Sequence, residues 1–281
     1  MEHGGILMQE CLGFYAWQGN WERLFGASFP QTTDQAGVAP LLSRVPVVWF
    51  SFDEEGNLTT QNPYAHRPKG WEKVIDECRR RGIAVDMTVA YLDGPKLEAI
   101  LADDKITDRI VAGIQREVTP FDGVNIDLEG LGSKSIHGEE SRVRVRRDFN
   151  RFLGRLRAKL EKQNKKLYVC LHPLNGWFLG YDYRKIGRLT DGLVVMAYHY
   201  GPTPEPSASV EQSVTLALAS GVPRDKLILG ILALKPYETP NTLGDKVGIA
   251  QKHRIGGIAL WKISFLKEES LAVLRRLLTP K

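Results

Sequence analysis

Eight short apolar runs, rich in β-branched residues, alternate along this chain with longer amphipathic segments. The runs are Leu12–Trp17, Val45–Phe52, Ile83–Ala90, Gly123–Leu128, Leu167–Leu171, Gly192–Tyr198, Leu227–Leu232 and Ile255–Trp261. Between them, apolar spacing predicts helices over Trp71–Arg81, Ile106–Val118, Glu139–Gln163, Ser209–Ser220, Leu243–Lys252 and Glu268–Leu278. Gly82 and Gly221 follow two of these as C-terminal stops. The first and fifth connections give no clear helix. Strand–helix alternation without a linker favours a closed parallel (β/α)8 barrel, the TIM barrel of the α/β class, over two domains. Such a barrel needs about 250 residues, and the chain has 281. We therefore expect one catalytic barrel over 1–281. The alternative is an open doubly wound sheet, which usually carries a Gly-rich turn after its first strand. Here that strand runs into Ala16-Trp17-Gln18-Gly19-Asn20-Trp21, without G-x-G-x-x-G. No G-x-x-x-x-G-K-S/T occurs either, so a nucleotide site is not supported.

Composition removes other classes. The chain is 43% hydrophobic and 25% charged, as ordinary globular proteins are. Cys11, Cys78 and Cys170 are odd in number and form no C-x-x-C, which argues against a disulfide scaffold or zinc ribbon. His3, His66, His137 and His253 show no H-E-x-x-H spacing, so neither a metal nor a cofactor is expected. No stretch approaches the 18 or more apolar residues of a membrane helix. Residues Met1–Glu10 lack the basic and apolar regions of a signal peptide. The expectation is a monomer without membrane contact, cytoplasmic or spore-associated. The net charge is +5, compatible with an anionic wall polymer. Much of the excess lies between Arg142 and Lys166, where Val145, Phe149, Phe152, Leu153, Leu156 and Leu160 recur at helical spacing. That pattern reads as a solvated basic face. It holds few aromatic residues to stack on bases, so no nucleic acid partner is expected.

In a barrel, function sits at the C-terminal ends of the strands. The polar or aromatic residues there are Trp17, Ser51, Asp53, Tyr91, Asp127, Glu129, His172, Tyr198, His199 and Trp261. The fourth strand is the most informative. Side chains alternate, so Asn125, Asp127 and Glu129 share one face, and Val124, Ile126 and Leu128 the other. The apolar set packs on helices, which argues against an exposed edge strand with solvated acids. Two inward carboxylates about 7 Å apart are costly in a core. Their repulsion should raise one pKa, as suits a general acid. A divalent metal would want a third hard ligand, and the strand supplies only an amide.

The run Asp122-Gly123-Val124-Asn125-Ile126-Asp127-Leu128-Glu129 resembles the D-G-x-D-x-D-x-E signature of family 18 glycoside hydrolases, with Asn125 the sole change. Val47–Leu58 resembles the second strand and turn of the bacterial spore-type, peptidoglycan-directed branch. Val195-Met196-Ala197-Tyr198 is similar to the M-x-Y of strand six, and Gly257–Trp261 to strand eight with its terminal Trp. The resemblance implies substrate-assisted catalysis, for which family 18 is a named exception among glycosidases. Glu129 would protonate the glycosidic oxygen. Asp127 would hold the 2-acetamido N–H and stabilise an oxazolinium ion. Tyr198 would aim the acetamide oxygen, and Trp261 would floor the −1 sugar. Asn125, Trp261, Met196, His199, His172 and Ser51 are the candidate substrate-binding residues.

The departures from the pattern are specific. Asn125 cannot titrate, though its amide can orient Asp127. His199 follows Tyr198 where the family commonly has Asp, which changes the local field or merely makes a subsite contact. His172 lines the cleft or is a hydrogen-bonded structural histidine. Cys170 points the same way, without a third group to make a thiol hydrolase. Trp17, Trp21, Trp49, Trp71 and Trp177 could stack on sugars, although burial is the default for Trp. The segment between strands seven and eight is too short for the α+β insertion of several chitinases. The expected partner is therefore a short glycan containing N-acetylglucosamine, from peptidoglycan, spore cortex or chitin. A catalytically weak or inactive carbohydrate-binding protein is the alternative, and the retained Glu129 favours the enzyme.

Overall fold

A computed structural model describes residues 9–16, 21–26 and 37–278 of the chain. Trp17 and His3 lie outside these residues. Eight parallel strands form the sheet. They are β1 (Glu10–Gly13, continued by Tyr15–Ala16), β2 (Arg44–Phe52), β3 (Ala84–Tyr91), β4 (Gly123–Leu128), β5 (Lys166–Leu171), β6 (Gly192–Met196), β7 (Leu227–Leu232) and β8 (Gly257–Trp261). Each pairs with its neighbours in chain order, and β1 pairs with both β8 and β2, which closes the barrel. The (β/α)8 expectation is met. Between β7 and β8 runs the helix Pro240–His253 with no strand, so the α+β insertion is absent from that connection.

Alternation sorts the side chains into two layers. Val124, Ile126 and Leu128 join the outer cluster, packed with Phe149, Phe152, Leu153 and Leu156 of the helix Glu139–Glu161. Leu12, Phe14, Val48, Ala90, Cys170, Val194, Met196, Ile228 and Ala259 fill the interior. A bulge after Val48 places Trp49 and Phe50 both in the outer cluster. The lower end of the barrel is polar. Arg44 Nη1 donates to Asp86 Oδ1 at 2.6 Å, and its guanidinium lies over the Tyr168 ring at 4.5 Å. The Tyr168 hydroxyl donates to Glu10 at 2.9 Å. Gly192 makes room for that ring, since a Cβ there would stand 2.4 Å from it.

Three features differ from the sequence expectations. Helices Gly94–Ala102 and Tyr183–Leu189 were not predicted. Two-residue strands at Leu58–Thr59, Gln61–Asn62 and Ala65–His66 form small antiparallel pairings after β2. Strand β6 ends at Met196, because Ala197 and Tyr198 donate back to the carbonyls of Val195 and Met196, both at 2.9 Å. Tyr198 thus stands just beyond the sheet. On the basic helix, Arg142, Arg144, Arg146, Arg147, Arg151, Arg155 and Arg157 all have carboxylate partners. Its charge is balanced by its neighbours rather than presented as a free basic patch.

Candidate active site

Strand β4 carries the acids to the mouth of the barrel. Asn125 is fully buried and Asp127 is 5% exposed, while Glu129, one residue past the strand, is half-buried. The Glu129 N–H donates to the Tyr91 carbonyl at 2.9 Å, extending the pairing of β4 with β3 by one bond. Gly130 follows with a φ of 83° and lets the chain turn away.

These acids open onto a pocket of about 360 Å³ at the carboxyl ends of the strands. Asp127 and Glu129 are the carboxylates on its wall, and Tyr198 stands beside them. Phe14, Met196, Ala259 and Trp261 make an apolar floor, with Phe14 and Trp261 packed edge to face at 5.5 Å. Leu92, Trp177 and Phe178 form the rim. Leu92 is 45% and Trp177 57% exposed, so two large apolar groups are left facing water at the entrance.

The electrostatics single out Asp127. Burial pushes its carboxyl well above the usual range, and the charge of Glu129 adds to the effect. Desolvation thus outweighs the mutual repulsion expected from the sequence. Oδ1 of Asp127 and Nδ2 of Asn125 are buried without a hydrogen-bond partner. The Cys170 thiol donates to Asn125 Oδ1 at 3.3 Å, which leaves the amide's donor end uncommitted. Burial also pushes up the Tyr198 hydroxyl, with Glu129 and Asp127 adding to it, so Tyr198 stays a neutral donor.

The remaining candidates separate by position. His172 and Met196 lie on the pocket wall, and His172 Nε2 approaches Glu129 Oε2 to 3.1 Å. His199 is exposed at the rim, with a positive φ of 65°. Its backbone N–H and that of Tyr200 donate to the buried Glu205 carboxylate, at 2.6 and 3.1 Å. Ser51 and Asn125 do not line the pocket, as both are fully buried. Asp53 caps its own turn, accepting from the Asn57 backbone and amide at 2.8 and 2.9 Å. Tyr91 is stacked on Phe52. Sequence reasoning did not name Phe14, Leu92, Phe178 or Tyr200. Leu92 follows the end of β3 and the strand-end rule could have found it; Phe178 sits deep in a loop and carried no signal. Among the described residues no three His, Cys, Asp or Glu side chains cluster as a metal site.

Fold and pocket together define a (β/α)8 barrel with a pair of carboxylates on the wall of the pocket at its carboxyl end. Residues 99–236 match the model of glycosyl hydrolases family 18. No curated protein matches the chain significantly. Solved structures do. One is the C-terminal domain of an assigned chitinase from Desulfitobacterium hafniense, at a TM-score of 0.80 and 17% identity, covering 97% of this chain and 100% of that one. A chitinase from Chromobacterium violaceum gives 0.77 and 17%, covering 97% and 100%. The spore cortex-lytic enzyme SleL of Bacillus megaterium gives 0.76 and 15%, covering 97% of this chain and 75% of that one. At these identities the likeness speaks for the fold alone.

Proposed function

We propose that the chain hydrolyses β-1,4-linked N-acetylglucosamine glycans by retaining, substrate-assisted catalysis. One observation carries this reading. The pocket offers two carboxylates, and the inner one, Asp127, is held toward its neutral form and makes a poor nucleophile. A retaining reaction then needs its nucleophile from the substrate. Glu129 gives its proton to the glycosidic oxygen as the bond from that oxygen to the anomeric carbon breaks. The 2-acetamido carbonyl oxygen bonds to the anomeric carbon from the other face, and an oxazolinium ion forms. As positive charge develops, the ionised form of Asp127 becomes favoured and stabilises it. The Tyr198 hydroxyl holds the acetamide in line, and Trp261 and Met196 supply apolar surface beneath the sugar. Water then attacks the anomeric carbon and loses a proton to Glu129, and the acetamide bond to that carbon opens.

The short β7–β8 connection leaves the groove shallow, which suits short oligosaccharides and fragments of peptidoglycan or spore cortex. Neighbours described as chitinases and as a spore cortex-lytic enzyme support the same substrate range. A second reading, a chitinase-like carbohydrate-binding protein of weak or no activity, is favoured by Asn125 and His199 at positions where the family has acids. Mass spectrometry of products from chitin oligomers, vegetative peptidoglycan and cortex fragments containing muramic lactam separates the two. The wild type should release defined fragments from at least one. Glu129→Gln should lower turnover by roughly 10²–10⁴-fold with an unchanged circular dichroism spectrum. Normal turnover in Glu129→Gln would sink the assignment, and binding without cleavage would select the second reading.

A further inference from the structure

A second pocket, of about 310 Å³, lies on the flank of the barrel, between helix Asp104–Glu117 and the turn and short strand that follow β2. It shares no lining residue with the pocket at the mouth. Arg67, Arg109 and Arg116 all line it, and Glu117 is the one carboxylate among the described residues that do. Arg109 and Arg116 are two helical turns apart, so they share one helix face with Cα atoms about 10 Å from each other. Glu117 makes a loose pair with Arg67 at 3.7 Å and is itself 47% exposed, whereas Arg109 and Arg116 have no carboxylate partner among the described residues. Two of the guanidiniums are held in place. Arg109 donates to the Glu55 carbonyl. Arg67 lies over the Trp71 ring at 4.9 Å and the Phe50 ring at 5.3 Å. The walls are fixed as well. A Cβ at Gly56 would stand 2.8 Å from the Ile106 carbonyl oxygen, and one at Gly113 2.8 Å from Leu58 Cγ, so turn, strand and helix close on each other at two points.

We propose that this flank pocket binds an anion carrying two or more linked phosphoryl groups. Three cations against one anion leave the pocket with excess positive charge, which a bound anion offsets. The planar fork of arginine matches the oxygens of a carboxylate or a phosphoryl group. A carboxylate is already present as Glu117, and it satisfies neither Arg109 nor Arg116. A phosphoryl group brings three acceptor oxygens and up to two charges, so one group can engage two guanidiniums at once. The length of the arginine row favours an extended ligand, because a single phosphate reaches one end of it and linked groups reach both Arg109 and Arg116. The contrast with the long basic helix is direct, since the arginines there are already matched by carboxylates. The phosphoryl groups come from a free oligophosphate or from a phosphodiester polymer, and both offer the same chemistry to the three arginines. The inference does not depend on the glycosidase reading, because the site lies outside the mouth.

The test is calorimetric titration of the full chain with tripolyphosphate, with a glycerol-phosphate oligomer and with citrate, at matched ionic strength. At least one of the two phosphoryl ligands should bind the wild type. Arg109→Gln and Arg116→Gln should each weaken that binding by roughly ten- to hundredfold, the loss expected for a charge-assisted hydrogen bond. Both side chains are exposed and Gln is nearly as good a helix former as Arg, so the variants keep the fold. The double variant Arg144→Gln, Arg147→Gln removes two charges from the basic helix instead and should change binding by no more than about twofold. Tighter binding of tripolyphosphate supports the proposal with a free oligophosphate as ligand, and tighter binding of the oligomer supports it with a polymer. Absence of binding by both phosphoryl ligands would overturn the proposal. So would an equal loss in the basic-helix variant, or citrate bound as tightly as tripolyphosphate.

Discussion

Asp127 shows what single residues contribute to this site. It is buried, one of its oxygens lacks a partner, and its carboxyl is raised by burial and by Glu129. The protonated form is therefore favoured more in the folded than in the unfolded chain. Its linked contribution is most favourable at pH below the ordinary Asp value of about 4, and is lost as pH rises toward the raised value. At neutral pH the residue costs stability, in exchange for the chemistry proposed for it. Asp127→Asn should thus melt about 2–4 °C higher than the wild type at pH 7, close to 1 kcal/mol, and lose that gain near pH 4. Turnover should fall about 10²–10³-fold. Thermal melts at both pH values check this, and equal shifts at pH 4 and 7 would contradict the account of Asp127. Asn125 and Cys170 fit the same picture, with the thiol fixing the amide so that its donor end stays open to the acid above.

At the scale of elements, the site depends on a helix that the sequence hides. Gly94–Ala102 begins at an Asp93 cap, whose side chain accepts from the Lys96 N–H at 3.3 Å. Gly94 packs backbone to backbone on the loop after Glu129, and a Cβ there would stand 2.3 Å from the Gly130 carbonyl oxygen. Gly94→Ala should therefore cost about 1–3 kcal/mol and shift Glu129, lowering kcat by roughly 10–100-fold. Thermal melts and kcat together check this; a wild-type kcat would show that the helix does not position the acid. The helix was illegible because Asp-Gly-Pro reads as a turn. Moreover, Asp103 ends it while capping the next helix, at the N–H groups of Lys105 and Ile106. Helix Tyr183–Leu189 spans seven residues, too few for a periodicity to register. Strands β4 and β7 were legible to both ends, since buried β-branched runs bounded by polar residues admit few other structures. The acid pair was legible for the same reason, as a period of two placed Asp127 and Glu129 on one face. Of the rim, Trp177 was named from the sequence and Leu92 lay within reach of the strand-end rule, whereas Phe178 was not legible, because it reaches the pocket through a loop. The approach of His172 to Glu129 arises between neighbouring strands, and no spacing along one strand records it.

The whole molecule grades from bottom to top. Arg44, Asp86, Tyr168 and Glu10 tie together β2, β3, β5 and β1 at the amino end. Leu, Val and Ala side chains fill the middle. The costly groups, two acids and a tyrosine hydroxyl, are confined to the mouth, where the layers below hold them in place. That division lets a buried acid be tolerated at the mouth, where the proposed chemistry calls for it. It also ties the proposed mechanism to stereochemistry: on that proposal the substrate's acetamide attacks first and water second, and two inversions give retention. Proton NMR of the anomeric signals during the first minutes of chitin-oligomer cleavage reads this directly. The account predicts that the β anomer of the new reducing end accumulates first and mutarotates later; initial release of the α anomer would contradict it.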